Sequence, residues 1–271
     1  MIRPFLRWAG GKQNLVEEIL EHVPPEDQIG RYFEPFLGAG SLFFANGFNN
    51  AFISDVNTPL INTYHQIRTD PRAIYHLIER YATLFSRDEN FYYRLRDRFN
   101  TCINVRDHMQ AARFIFLMHT NYNGMYRINR DGLYNVPIGK RSPCLPSFDH
   151  LQMVSNKLRN QNIRNVPYSR ILNLVEESDF IYMDPPYPPL DENQQQQQFT
   201  ADKFTSENQR QLANFAQQLA ARGCFVMISN SNVPLIRELY NEWRIVELET
   251  TRWVSCKSDR QKVQELLIMN Y

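Results

Sequence analysis

The sequence is poor in cysteine and lacks any long apolar run. Its four cysteines, Cys102, Cys144, Cys224 and Cys256, stand far apart, with no CxxC pair and no histidine at ligand spacing. This argues against both a zinc site and a disulfide framework and leaves plain reduced thiols as the expectation. The amino-terminal stretch MIRPFLRWAGGK lacks the apolar core of a signal peptide. No segment reaches the roughly 18 uninterrupted apolar residues of a membrane span, so a cytoplasmic protein is expected. Gly10-Gly11-Lys12 invites a phosphate-loop reading, but Leu6 stands in place of the first glycine and Gln13 in place of Ser/Thr, and the reading fails. The turn EPFLGAGSLF has Gly38 and Gly40 but Phe43 or Phe44 where a dinucleotide site needs a third glycine, which argues against a pyrophosphate ligand.

Net charge is also lacking, at +1 overall, but it is unevenly spread. Residues 57–145 carry 13 Arg and Lys against 7 Asp and Glu, a net of +6 that leaves −5 for the rest. A basic module within an acidic remainder points to a polyanionic partner, while a solvated helical surface is the plain alternative for Arg68 to Arg98.

What is present is apolar mass: 43% hydrophobic residues, with 18 Phe and 14 Tyr in 271, enough for one large domain or two modest ones. QNLVEEILEHV predicts an amphipathic helix ended by Pro24-Pro25. GRYFEPFLGAGSLFFANGF predicts strand, turn and helix, and NNAFISDVN a second strand ending at Asp55. Residues 58–118 read as helical; residues 121–145, rich in Asn, Gly, Tyr and Arg, read as loop and hairpin. DFIYM, NQRQLANFAQQLAARG, CFVMISN, VPLIRELYNE, WRIVELETTRWV and QELLIMNY then alternate strand and helix before a β-prone end. The alternation predicts an α/β fold with a parallel sheet wrapped by helices. Residues 57–145 interrupt it and are expected to form an inserted, mainly helical domain between 1–56 and 146–271. The run Gln194–Gln198 reads as a low-complexity loop.

The stretch DFIYMDPPYPP carries the sharpest chemical signal. Two prolines cannot join a sheet ladder, so the chain leaves the strand where Asp184 and Tyr187 are presented, rigidly held. Glu34 and Asp55 close two further strands on the same sheet edge, where ligands of open α/β sheets bind. Two carboxylates without a phosphate to hold suit a ligand with a ribose and an amino group, and S-adenosylmethionine is one. Trp8 and Lys12 in RWAGGKQ suit a flat ring and a carboxylate, or simply an ordinary helix start.

Together, FLRWAGGK, EPFLGAGSLF, SDVNTPLINTY, NYNGMYRINRDGLYNVPIGK, DFIYMDPPY, MISNS and KVQELL resemble, in order and across nearly the whole chain, the Dam-type DNA adenine N6-methyltransferases. The resemblance implies a Rossmann-like S-adenosylmethionine-dependent methyltransferase sheet, an inserted DNA-recognition domain, double-stranded DNA as partner and no metal. It makes Trp8, Lys12, Asp55 and Asp184 cofactor contacts, with Glu34, Phe36, Gly38, Gly40 and Tyr168 as neighbours. Asp184, Pro185, Pro186 and Tyr187 become the catalytic set. The adenine amine is a poor nucleophile until acceptors hold its protons; the Asp184 carboxylate and the Pro185 carbonyl would do so, with Tyr187 stacked on a flipped-out base.

Within 121–145, Tyr122, Tyr126 and Tyr134 alternate with Arg127, Arg130, Lys140 and Arg141, a mixture suited to groove contact. The resemblance gives Arg127 to guanine, Tyr122 to wedging the base stack, and Met125 and Pro137 to thymine; Arg7, Asn123, Asn129, Lys140 and Arg141 complete the DNA-binding set. The family usually has Lys at Arg7 and Leu at Met125, so GATC is the leading target, with its outer base least determined. An RNA- or protein-amide methylase and a catalytically idle DNA-binding protein remain as alternatives. A cognate restriction endonuclease, host regulation and a viral origin are equally open roles.

Overall fold

The computed structural model describes residues 1–188, 204–253 and 260–271; Gln194–Gln198 and Cys256 lie outside the described residues. Seven strands form one sheet among them: β1 (Tyr32–Glu34), β2 (Phe52–Ser54), β3 (Asn162–Arg164), β4 (Phe180–Met183), β5 (Phe225–Ser231), β6 (Arg244–Trp253) and β7 (Arg260–Met269). Their order is β3-β2-β1-β4-β5-β7-β6. The first five run parallel, and β7 lies antiparallel between β5 and β6. This is a Rossmann-like methyltransferase arrangement.

Strand β4 shows why the sheet is central. All four residues are buried, the unbroken apolar run of a strand covered on both faces. Phe180 and Tyr182 join one apolar cluster, Ile181 and Met183 the other, as the two-residue repeat of a strand requires.

Nine α-helices accompany the sheet among the described residues: α1 (Val16–Leu20), α2 (Ser41–Ala45), α3 (Thr58–Thr69), α4 (Pro71–Arg87), α5 (Phe91–Thr101), α6 (His108–Thr120), α7 (Phe148–Leu158), α8 (Ser206–Ala221) and α9 (Pro234–Leu239). Their starts are written in the sequence. Asn57, Asp70, Asp107 and Ser147 each accept a backbone N–H three residues on, and Thr205 and Asn208 form a capping box. Helix α1 is shorter than QNLVEEILEHV predicts. Turns closed by Gly11 N–Trp8 O (3.1 Å) and Leu15 N–Lys12 O (2.9 Å) hold the preceding chain out of helix. Strand β3 was not expected, because only Ile163 of its three residues is buried.

In 121–145 the expected hairpin reduces to two isolated bridges, Asn121–Ile138 and Ile128–Tyr134. The buried side chains of α3 to α6 share one apolar cluster with Phe180 and Tyr182, so the core runs unbroken from the sheet into residues 57–145.

From β1 the chain winds outward through β2 to β3; from β4 it winds the other way through β5. The crevice between the carboxyl ends of β1 and β4 is therefore the switch point at which such sheets bind ligands. Glu34, Asp55 and Asp184 all end at this edge. Because β7 is antiparallel and pairs Glu265 with Ser231, it brings a fourth carboxylate there.

Candidate active site

The site is built on the turn after β4. Lys12 is only 5% exposed, and its ammonium donates to Asp184 Oδ2 at 2.7 Å and to Gly10 O at 2.7 Å. It also lies 3.9 Å from Glu265 Oε2 and 4.9 Å from the centre of the Tyr187 ring. Tyr187 in turn donates its hydroxyl to Glu265 Oε2 at 3.0 Å. One ammonium thus serves two carboxylates, and the tyrosine ring is held over it. Burial raises the Asp184 carboxyl from its ordinary value; the Lys12 charge pulls it back, and Glu265 adds to the push.

The glycine turn after β1 forms the adjoining wall. Asp55 accepts from Gly38 N at 3.1 Å and from Asn57 N at 2.9 Å, which orients its carboxyl beside the turn. Its pKa is nonetheless raised, because burial outweighs those donors. Gly40 adopts φ +68°, and an added Cβ would meet the Tyr64 hydroxyl at 3.1 Å. Gly38, at φ +47°, lies against the Trp8 indole, 3.0 Å from where a Cβ would stand. Phe36 stacks on Tyr168 with ring centres 5.2 Å apart and meets Phe204 edge-on at 6.2 Å. An aromatic wall therefore flanks the crevice, with a carboxyl beside it.

Glu34 sits under this turn rather than in the open crevice. It is 2% exposed, and its Oε2 accepts from the Tyr32 hydroxyl at 2.6 Å and from Phe43 N at 3.1 Å. Burial pushes its carboxyl up to about 8. Trp8 has one face against Tyr126, stacked at 5.9 Å and 16°.

The expected DNA-contacting residues separate into three groups. Arg7, Tyr122, Asn123, Lys140 and Arg141 line one cleft of about 190 Å³ with Asn121 and Gly139. Among the described residues no acid lines this cleft, and burial together with the Arg141 charge lowers the Arg7 pKa from its ordinary value. Arg127, half-buried, donates its Nε to Asn135 Oδ1 at 2.8 Å, which sets the plane of its guanidinium. Asn129 accepts from Asp131 N and Leu133 N and so closes the tip of the turn; Met125 packs partly on the core, and Pro137 is exposed. The reading of Tyr126 and Tyr134 as groove-facing is corrected. They are 5% and 1% exposed, stacked on one another at 5.6 Å, and they form the core beneath the turn.

The turn at residues 121–139 and the Lys12 loop are joined directly. Ala9 N donates to Gly124 O at 3.0 Å. A Cβ at Gly124, whose φ is +66°, would stand 2.8 Å from Arg7 Cγ. Sequence reasoning gave no role to Glu265, although KVQELL places this acid immediately before the apolar run Leu266 to Met269. A carboxylate leading into the wholly buried run Leu266–Met269 was the available signal. Among the described residues no group of three or more His, Cys, Asp and Glu is arranged to hold a metal ion, and no helix is long and apolar enough to cross a membrane.

The D12 class N6 adenine-specific DNA methyltransferase family matches residues 8–254. Over its full length the chain is 34% identical to Type II methyltransferase M1.LlaDCHI of Lactococcus lactis subsp. cremoris, covering 96% of that protein. It is 37% identical to Type II methyltransferase M.MjaIII of Methanocaldococcus jannaschii, again over its full length and 99% of the relative. It is also 32% identical to a DNA adenine methylase of Vibrio cholerae, over 98% of this chain and 95% of that protein. A carboxylate, two prolines and a tyrosine at the switch point, joined to matches of this length, leave one conclusion: the chain belongs to the D12 class N6 adenine-specific DNA methyltransferases and is a DNA adenine methyltransferase.

Proposed function

We propose that the protein transfers a methyl group from S-adenosylmethionine to the N6 amine of an adenine extruded from duplex DNA, with GATC as its target. The observation that carries this reading is the Asp184 carboxylate, held by Lys12 on the Pro-Pro-Tyr turn at the switch point. The surrounding residues fit the cofactor. Phe36 and Tyr168 offer faces to a purine, Asp55 offers an acceptor to ribose hydroxyls, and Gly38 and Gly40 let the backbone approach closely. Trp8, Lys12 and Asp184 would hold the amino-acid end, with Glu34 bracing the turn from below.

When bound, the cofactor supplies a methyl group already activated on a sulfonium. The chain then contributes alignment and a field suited to charge growing on nitrogen. Asp184 accepts one N–H of the amine and the Pro185 carbonyl the other, which frees the nitrogen lone pair from the ring. Tyr187 stacks on the extruded base. Pro186 keeps the carbonyl and the ring in fixed relation.

Residues 57–145 act in this reading as the recognition module set between 1–56 and 146–271, their +6 charge suiting the phosphate backbone. Arg127 reads guanine, Tyr122 wedges the stack, and Met125 and Pro137 meet thymine. Arg7, Asn123, Asn129, Lys140 and Arg141 border the duplex. A cytoplasmic enzyme is implied. The Type II methyltransferases among its relatives favour a cognate restriction endonuclease as genetic partner.

The test is to methylate random-sequence duplex DNA with labelled S-adenosylmethionine and map the modified bases. N6-methyladenine confined to GATC is expected. Label in single-stranded RNA or protein in preference to duplex DNA would overturn the substrate, and adenine labelled in another sequence would overturn GATC alone.

A further inference from the structure

The turn Asp184-Pro185-Pro186-Tyr187 creates an anchoring problem of its own. Neither proline has a backbone N–H, so this stretch is fastened through carbonyls and side chains. Lys12 fastens the Asp184 side chain and Glu265 the Tyr187 hydroxyl. The backbone between them is fastened by Gln209, whose Nε2 donates to Pro186 O at 2.8 Å. Gln209 is fully buried in the first turns of α8, a helix whose start is fixed by the Thr205–Asn208 capping box. Its Oε1 accepts from Asn230 Nδ2 at 3.1 Å, and Asn230 Oδ1 accepts from Ser231 N at 2.9 Å. Asn230 is likewise fully buried, at the carboxyl end of β5.

The polarity of this relay is set at both ends. A carbonyl only accepts and a backbone N–H only donates, so each amide has a single orientation that satisfies both neighbours. A buried amide pair pointed one way, ending on a turn that carries chemistry, is a device for holding that turn.

We infer that Gln209, oriented by Asn230, is a positioning residue for methyl transfer. It fixes the peptide plane between Pro186 and Tyr187, and through it the pose of the tyrosine ring and the Pro185 carbonyl around the adenine amine. The inference rests on the function proposed above. Gln209 acts through the turn and not on the reacting atoms. Its loss leaves the Lys12–Asp184 pair and the Phe36–Tyr168 wall intact, so cofactor affinity is retained while the transfer step slows.

The experiment measures single-turnover methylation of a duplex carrying the mapped target site, cofactor affinity by calorimetry, duplex affinity by fluorescence anisotropy and thermal melting, for wild type, Gln209→Leu and Gln209→Glu. Gln209→Leu keeps the volume and removes the donor; the transfer rate falls about 10- to 100-fold, with cofactor and DNA dissociation constants within about 2-fold of wild type. Gln209→Glu donates to Pro186 O only while its carboxyl is protonated. Its transfer rate therefore falls as pH rises, on a profile the wild type lacks, with cofactor affinity unmoved. Where Gln209→Leu fails to fold, the pH profile of Gln209→Glu decides. A wild-type rate in folded Gln209→Leu, or a Gln209→Glu rate that tracks the wild-type profile, overturns the inference. A wild-type protein that methylates no duplex would instead strike the proposed function, and the two failures are thereby told apart.

Discussion

Glu34 provides a direct test of how this site is assembled, because its carboxyl lies inside the fold with no cation paired to it among the described residues. It is 2% exposed, and its two donors are the neutral Tyr32 hydroxyl and the Phe43 backbone N–H. Burial, the largest influence, and the nearby Asp184 charge raise its pKa from 4.5 to about 8, against the pull of both donors. Between these values the folded chain holds a proton that the unfolded chain has released. A raised carboxyl pKa therefore contributes stability that is complete below about pH 4.5 and is lost as pH rises through about 8. The gap corresponds to about 4 kcal/mol lost between about pH 5 and pH 9, a large part of the roughly 5–15 kcal/mol that a domain has. Glu34→Gln keeps the shape and an oxygen for both donors but cannot ionise. Urea midpoints of the two proteins, measured without ligand across that range, should coincide near the acid end. They should then diverge in favour of Glu34→Gln by about that amount at the alkaline end. A difference that stays flat within about 1 kcal/mol would mean that Glu34 ionises in place, and the reasoning from its burial would be refuted.

The fold was largely legible because its signals are local. The helical periodicity of residues 58–118 and the unbroken run Phe180 to Met183 need no partner to be recognised, whereas the capped starts at Asn57, Asp70 and Asp107 that divide 58–118 into separate helices were not read. Asp184 and Lys12 were legible as separate residues, but their 2.7 Å contact joins positions 172 residues apart, a pairing that no spacing rule encodes. Glu265 was missed for a related reason. Its place at the site depends on β7 running antiparallel beside β5, which turns a strand interior toward the crevice edge. Tyr126 and Tyr134 were misread because an aromatic among arginines suits a groove and a small core equally well. What decides is the neighbour: the Trp8 indole stacks on Tyr126, and Asn121 donates to the Tyr134 hydroxyl at 2.7 Å.

Three further outcomes follow from the site. Asp184→Asn should lower the methyl-transfer rate by about 100-fold or more with melting nearly unchanged, and near-normal turnover by the purified variant would count against the acceptor role. Asp55→Ala should weaken S-adenosylmethionine binding much more than DNA binding, as read by calorimetry against fluorescence anisotropy; equal loss of both would reject the ribose assignment. The third separates base reading from backbone attraction. Arg127 has its guanidinium plane set by Asn135 at 2.8 Å, the preorganisation a guanine edge rewards, whereas Lys140 is exposed on the rim of the cleft it shares with Arg7 and Arg141. Arg127→Ala should therefore cost about 1–3 kcal/mol of discrimination at one guanine while the rate on non-cognate duplexes changes little. Lys140→Ala should weaken all duplexes alike and reduce the salt dependence by about one counterion. The measurement is kcat/KM on duplexes bearing each single substitution in GATC, at two salt concentrations. If Arg127→Ala lowers the rate on every duplex equally, the fixed guanidinium is a phosphate clamp, and base reading must come from residues other than Arg127.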